Sequence, residues 1–379
     1  MKTLTSSKGS FNLEYFPRNA NKSLQPWDAA DEYAFQYISE ELESAKSDPR
    51  NVLIVNDSFG ALAILFSDFN PYIVTDSYVS VKSISHNLKL NQLPVNENHI
   101  YNSLHYPDKI FDLVVIKIPK NNAFLEDQLY RIRKCCNTNT VIVAAAMSRN
   151  IHTSTIKLFE KVIGETKTSL ARKKSRLILS RFDDSRVLSE SPYPTEYMLK
   201  ETTKKYVNHA NLFSREKLDI GARLMLKNIP ASDKYRRIID LACGNGVLGI
   251  EAAERNENAK VLFMDESYMA VQSARINTSQ LADAERCEFY VSDCLQGIED
   301  DSVDLVINNP PFHQQYAIGD FIAWQMFSEA RSKLVVGGEI LVVANRHLAY
   351  HLKLKKIFGN CEVVDNSKKF VVLRSFKSK

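Results

Sequence analysis

The same succession of short apolar runs, each closed by a polar or glycine-containing turn, occurs twice in this chain and in the same order. In the C-terminal half the runs are RIIDLACGNGVLGIEAA (237–253), KVLFMDES (260–267), DLVINNPPF (304–312), GGEILVVANRHL (337–348) and KKFVVLRSF (368–376). In the N-terminal half they are NVLIVNDSFGALAILF (51–66), PYIVTDS (71–77), DLVVIKIPK (112–120), NTVIVAAAMSRN (139–150) and KKSRLILSRF (173–182). Strand-like runs alternating with helical patterns read as βαβ units, which require a mostly parallel sheet covered by helices. A helical stretch precedes each first strand, PWDAADEYAFQYISEEL (26–42) and REKLDIGARLMLKNI (215–229). The repeat therefore predicts an α/β protein made of two tandem doubly wound domains that arose by internal duplication.

The polar stretch SRVLSESPYPTEYMLKETTKK (185–205) carries two prolines and reads as the connection. We expect domains at 1–186 and 207–379 with a linker at 187–206. A chain of 379 residues with 44% hydrophobic content can fill two such cores. No run approaches the roughly 18 apolar residues of a membrane span. The start, MKTLTSSKGSF, has no apolar region behind its lysines. These features predict a cytoplasmic protein, and the absence of a surplus apolar stripe predicts a monomer.

The six cysteines form no CxxC pair and the eight histidines no HExxH pattern, so no metal site and no disulfide framework are expected. The adjacent Cys135 and Cys136 read as buried packing residues rather than a redox pair. A net charge of +4 and a pI near 8.5 suit a polyanionic partner without requiring one. The distribution is more informative, because cations gather at KTSLARKKSR (167–176), at Lys200, Lys204 and Lys205, and in LKLKK (352–356) and SKK (367–369). Arg172, Lys173, Lys174, Lys204 and Lys205 are the candidate nucleic-acid contacts.

The chemistry is concentrated in the second copy. There the first strand ends at Asp240 and runs into Gly244-x-Gly246-x-x-Gly249 at the start of a helix, where the backbone can approach a ligand. The second strand ends in Asp265, placed to take both hydroxyls of a ribose, and the third in Asp293, placed to accept from an adenine amine. Asp240 would repel a pyrophosphate and welcome an ammonium, which argues against a dinucleotide. Asp240, Gly244, Gly246, Asp265, Asp293 and Asn309 together describe a site for S-adenosylmethionine. In the first copy, with Gly60 laid on Gly246, Asp240 becomes Ile54, Gly244 becomes Ser58 and Gly249 becomes Ala63. Asn309-Pro310-Pro311-Phe312 becomes Lys117-Ile118-Pro119-Lys120, and Asp76 falls opposite Asp265. One site is expected, in the C-terminal copy; the N-terminal one is degenerate, and its lysines are suited to touching phosphate.

The fourth strand of the second copy ends in Asn309, Pro310, Pro311 and Phe312. Two prolines stop the strand and hold a rigid elbow. Methyl transfer from a sulfonium depends mainly on aligning the acceptor lone pair. An Asn oxygen and a proline-flanked carbonyl can take the two hydrogens of a conjugated amine, and an aromatic can stack on its ring. Asn309, Pro310 and Phe312 are thus the candidate catalytic residues, with His313 as a possible substrate contact. No cysteine stands in this loop, which excludes carbon-5 pyrimidine methylation. Cys243 reads as a small filler.

The order DxxCGxGxxG, an acid after the second strand, then NPPF resembles the amino-methylating class I methyltransferases. LACGNGVLG, NNPPFH, FSREKLDIG (213–221) and ANRHLAYHLKLKKIFGNC (344–361) resemble more closely the bacterial ribosomal RNA guanine-N2 methyltransferases. The match is best to the large-subunit (RlmG) type, which is related to the small-subunit (RsmC) type. The resemblance covers essentially the whole chain. It implies two class I methyltransferase-like, Rossmann-like domains and methylation of a guanine amine in 23S rRNA, on protein-free RNA or an assembly intermediate. A small-subunit rRNA target, a glutamine-N5 methyltransferase acting on a translation factor, and a non-enzymatic RNA-binding assembly factor are the competing readings.

Overall fold

The computed structural model describes residues 1–16, 25–45, 49–199, 204–311 and 316–379. They form two compact units, Met1–Pro192 and Tyr193–Lys379. The first contains β1 (Val52–Val55), β2 (Tyr72–Thr75), β3 (Ile100–Asn102), β4 (Leu113–Lys117), β5 (Val141–Met147), β6 (Thr166–Thr168) and β7 (Ser175–Arg181), in the spatial order β3-β2-β1-β4-β5-β7-β6. The second contains β8 (Arg237–Leu241), β9 (Lys260–Asp265), β10 (Cys287–Val291), β11 (Val303–Asn308), β12 (Leu334–Asn345), β13 (Glu362–Asn366) and β14 (Phe370–Phe376), in the order β10-β9-β8-β11-β12-β14-β13. The order is the same in both sheets. Only the pairs that involve β7 or β14 are antiparallel.

The central strands are apolar at nearly every position because both faces of each sheet are covered. In the second unit Ile238, Val261, Phe263, Leu305, Ile307 and Leu341 enter one core cluster. Their alternate neighbours Ile239, Leu262, Met264, Val306, Ile340 and Val342 enter the cluster on the other face. This two-residue alternation is the pleat itself. The strand order reverses at β8, which has β9 on one side and β11 on the other, so a crevice is expected beyond their carboxyl ends.

Part of the stretch read as a linker is structured and belongs to the second unit. Thr195–Met198 pairs with Lys205–Asn208 as an antiparallel hairpin, and the division between units falls after Pro192. The first unit opens on a comparable hairpin, Lys2–Ser6 with Gly9–Leu13. A buried asparagine helps to fasten each hairpin. Asn277 donates to the Val207 and Asn245 carbonyls at 2.9 Å each and accepts from the Val207 N–H at 2.7 Å. Asn87 donates to the Glu14 and Phe59 carbonyls at 3.0 and 2.8 Å and accepts from the Glu14 N–H at 2.8 Å.

The register corrects one expectation. Val55 pairs with Val74 as Leu241 pairs with Met264, and Ser77 caps its helix as Ser267 does. Thr75, not Asp76, therefore stands where Asp265 stands. The Thr75 hydroxyl accepts from the Ser77 N–H at 3.3 Å, as the Asp265 carboxylate accepts from the Ser267 N–H at 3.0 Å. Asp76 lies one residue further on and is bonded to the Ser103 hydroxyl. The first unit thus lacks a carboxylate at this position.

Candidate active site

Asp240, the loop 241–246, Asp265, Asp293 and Asn309 all lie at or just beyond the carboxyl ends of β8, β9, β10 and β11. Asp240 is buried within β8, and its Oδ2 accepts from the Gly249 N–H at 2.8 Å. Its Oδ1 is buried without a hydrogen-bond partner among the described residues. Burial, reinforced by the neighbouring charge of Asp265, pushes the Asp240 carboxyl up to about 8. Asp265 accepts from the Gly244 N–H at 3.0 Å, which ties the second strand to the glycine loop. Asp293 is half-buried, its carboxyl raised by that burial, and Gln325 donates to it at 3.3 Å.

The loop needs its glycines for different reasons. Gly246 has φ +82, and a Cβ there would stand 3.0 Å from Ala274 Cβ. At Gly249 a Cβ would come 2.3 Å from the Phe263 ring, so this glycine lets the helix press on β9. Ala242 also has φ +60, an unfavourable conformation of the sort that collects at ligand sites. Around Gly244 the space is open, with nothing within 4 Å of an added Cβ.

At the end of β11 the Asn308 amide donates to the Leu241 carbonyl at 2.8 Å and fastens β11 to the strand bearing Asp240. Asn309 follows, and its Oδ1 is buried without a partner among the described residues. Pro310 is buried and Pro311 half-buried. Phe312 and His313 lie outside the described residues. Cys243 is buried, and burial raises its thiol well above the ordinary range, as suits a filler rather than a nucleophile. Cys135 and Cys136 are buried free thiols pushed up by burial to about 11 and about 12.

The first unit fills the matching place with its own side chains. Asp57 accepts from the Gly60 N–H at 2.8 Å and the Ala63 N–H at 2.9 Å, the second being the counterpart of the bond from Gly249 to Asp240. Lys117, at the position of Asn309, is largely buried and paired with Asp28 at 2.6 Å and Asp31 at 2.8 Å. The expectation that Lys117 reaches for phosphate is therefore corrected: its charge is consumed inside the fold. Lys120 is exposed.

Of the five cations read as RNA contacts, Arg172 lies over the Tyr33 ring and Lys173 pairs with Glu32 at 2.8 Å. Arg172, Lys173 and Lys174 form the turn leading into β7, at the edge where the parallel strands of the first unit end, since Ser175 pairs with Met147. Lys204 and Lys205, in the second unit, are paired with Glu254 and Glu196. Lys200 lies outside the described residues. Among the described residues, no group of histidine, cysteine and acidic side chains could hold a metal ion.

Residues 1–184 match the RLMG N-terminal domain family and residues 203–374 the methyltransferase small domain family. The ribosomal RNA large subunit methyltransferase G of Pseudoalteromonas translucida is 47% identical over 97% of this chain and 96% of its own length. The enzyme of that name from Yersinia enterocolitica is 47% identical over 97% of this chain and 93% of its own. The chain belongs to the ribosomal RNA large subunit methyltransferase G family. In fold it also matches the T. thermophilus 16S rRNA N2 methyltransferase RsmC, solved with AdoMet and guanosine, at a TM-score of 0.74 over 99% of this chain and 97% of that one, with 16% identity.

Sequence reasoning missed the contribution of the hairpin to this methyltransferase site. Asn245, inside the glycine loop, donates to the Tyr197 hydroxyl at 3.1 Å and to Asn208 Oδ1 at 2.9 Å. Asn277 in turn donates to the Asn245 carbonyl. Strands of four residues are too short to display a period, so composition alone labelled this stretch a linker. Replacing Asn277 with leucine removes three of the hydrogen bonds that fasten the hairpin and the loop. We expect a stability loss of roughly 2 to 4 kcal/mol in urea unfolding and weaker cofactor binding by calorimetry, with the turnover of saturated enzyme much less affected.

Proposed function

We propose that this enzyme methylates the exocyclic N2 amine of a specific guanine in 23S rRNA, with S-adenosylmethionine as donor. The observation that carries the reading is the pair of buried acceptors, Asp240 Oδ1 and Asn309 Oδ1, each without a partner among the described residues. Buried polar atoms are rarely left unpaired, and orphaned ones point to a ligand. The residues fit the cofactor: Asp240 would hold its ammonium, Asp265 its ribose hydroxyls and Asp293 its adenine amine, around the open backbone at Gly244. When bound, the cofactor supplies an electrophilic methyl group.

The protein's own part is orientation. Asn309 Oδ1 accepts one hydrogen of the guanine amine and the Pro310 carbonyl the other, which turns the nitrogen lone pair toward the methyl. Phe312 stacks on the base. The bond from Asn308 to Leu241 keeps this pair of acceptors in register with Asp240.

The two units are read as copies of one ancestral domain. What supports this is the shared strand order together with the matching hairpins and the matching Asn87 and Asn277 clamps. In that reading the second copy starts with its hairpin, so the connection is shorter than 187–206. The first copy, its cofactor place filled by Asp57 and Lys117, serves as an RNA-binding module. Exposed ion pairs such as the one between Lys173 and Glu32 are worth little and can be exchanged for phosphate. Charge reversal of Arg172, Lys173 and Lys174 together should weaken binding of rRNA at moderate salt and leave cofactor affinity unchanged. Equal RNA affinity in a filter-binding assay would remove this track. We place the protein in the cytoplasm as a monomer acting on protein-free rRNA or an assembly intermediate; no described helix is long and apolar enough to cross a membrane.

The test is incorporation of labelled methyl into protein-free 23S rRNA, 16S rRNA, assembled subunits and cell protein, with mass mapping of rRNA from cells with and without the gene. A guanine in 23S rRNA that loses one methyl in the deletion strain is the expected result. Label in protein, in 16S rRNA or nowhere overturns the reading.

A further inference from the structure

We infer that the helix Tyr350–Phe358 and the neighbouring Trp324 form an RNA-docking surface on the flank of the second unit, gripping phosphates and one unstacked base. The inference rests on the rRNA reading above. The segment from Asn345 to Asn360 contains Arg346, His347, His351, Lys353, Lys355 and Lys356 and no acidic residue. Lys355 and Lys356 are exposed, and among the described residues neither takes part in an ion pair. Lys173, Lys204 and Lys205, by contrast, each have a carboxylate partner. Neither lysine has to give up a carboxylate when it meets a phosphate.

An aromatic group accompanies the charge. Lys356 Nζ lies 5.3 Å from the centroid of the Trp324 ring, whose residue is 37% exposed. Leu352, on the same helix as Lys356, is 61% exposed. Cations interleaved with an exposed aromatic suit single-stranded RNA, because phosphates meet the charges while an unpaired base stacks on the ring.

The placement is favourable. Val342 pairs with Asn308, so β12 leaves the sheet at Asn345 on the edge where β11 leaves at Asn309. Trp324 belongs to the helix Tyr316–Lys333 that follows β11, and this helix packs on the basic one through Phe327 and Tyr350, 5.3 Å between ring centroids. Both helices start at that edge, with Trp324 midway along the first and Lys355 and Lys356 in the last turn of the second, so the surface extends from the reactive corner down the flank of the sheet. A basic helix can also lie on a membrane, but that requires a free apolar face. Here Tyr350, Leu354 and Phe358 are buried in the core, and Leu352 is the one large aliphatic group that the helix exposes.

The experiment uses the full chain and protein-free 23S rRNA transcript, with filter binding across a range of KCl and calorimetry with S-adenosylmethionine as the folding control. The double variant Lys355→Glu, Lys356→Glu should bind RNA about tenfold or more weakly at 0.1 M salt and show a log–log salt slope shallower by about 1.4. Trp324→Ala should weaken binding by about tenfold with the slope unchanged, and Trp324→Phe should restore it. Cofactor affinity should match the unaltered protein throughout. If the unaltered protein binds RNA and the double variant binds it equally well with an equal slope, the surface is refuted and the substrate reading stands. If the unaltered protein binds no RNA, the substrate reading falls and this inference with it. Charge reversal that impairs methylation of an added protein fraction but not RNA binding assigns the surface to an acidic protein and also refutes the inference.

Discussion

Replacing Asn309 with alanine should lower turnover by on the order of 100- to 1,000-fold while cofactor affinity stays within about tenfold, or roughly 1.4 kcal/mol. The asymmetry follows from where Asn309 sits. Its Oδ1 is buried without a partner at the end of β11, ahead of two prolines that fix the backbone. A free guanine amine is a poor nucleophile because its lone pair is delocalised into the ring. An oxygen that accepts one of its hydrogens favours the geometry in which the lone pair is localised, and that gain is largest in the transition state. The cofactor contacts proposed for Asp240, Asp265 and Asp293 do not involve the Asn309 side chain and should remain in place in the variant. Single-turnover methyl transfer with saturating RNA gives the rate, and calorimetry gives the affinity. A rate within about threefold of the unaltered enzyme would take Asn309 out of its assigned role.

The parallel sheets, the glycine loop and the three acids after successive strands were legible because each has a local signature. A buried parallel strand is a continuous apolar run, and a chain that must turn at positive φ shows a glycine. Two kinds of feature were not legible. The hairpin Thr195–Met198 with Lys205–Asn208 is polar and proline-flanked, and Asn277 joins it to the glycine loop through a contact 70 residues distant in sequence. The other kind is one of register: Asp76 is an acid near the end of a strand, as Asp265 is, but the pairing of Val55 with Val74 puts Thr75 in that place. A shift of one residue turns a side chain to the other face. For the same reason a basic run cannot be scored from sequence, because Lys117 pairs with Asp28 and Asp31 while Lys355 meets no acid among the described residues.

The second large effect is expected from Asp240→Asn and takes the form of a lost pH dependence. Asp240 is buried beside Asp265 and the neutral Cys243 thiol, and its carboxyl is pushed up to about 8 from the ordinary 3.8. Between about pH 4 and 8 the folded protein therefore keeps a proton that the unfolded chain has lost. Stability without cofactor falls as pH rises through that window and levels off above it. Binding has the opposite sign, because an ammonium favours the ionised carboxylate. Below pH 8 each bound cofactor must expel a proton, so affinity should climb by up to about tenfold per pH unit toward 8. Above that the cofactor's own α-amino group, with an ordinary value of about 7.7 to 8.0 in peptides, begins to lose its proton, so the profile peaks. Asparagine can still accept from the Gly249 N–H but carries no charge to titrate. In Asp240→Asn the rising limb should vanish and affinity at the peak should fall by about 100-fold, in line with removal of one partner from a buried charged pair. The same variant should be more stable than the unaltered protein at pH 9 without cofactor. Calorimetry in buffers of different ionisation enthalpy reads the proton release directly, and thermal unfolding reads the stability. A flat affinity profile in the unaltered enzyme would mean that the ammonium does not rest on Asp240, and the orphaned Oδ1 would then need another ligand group.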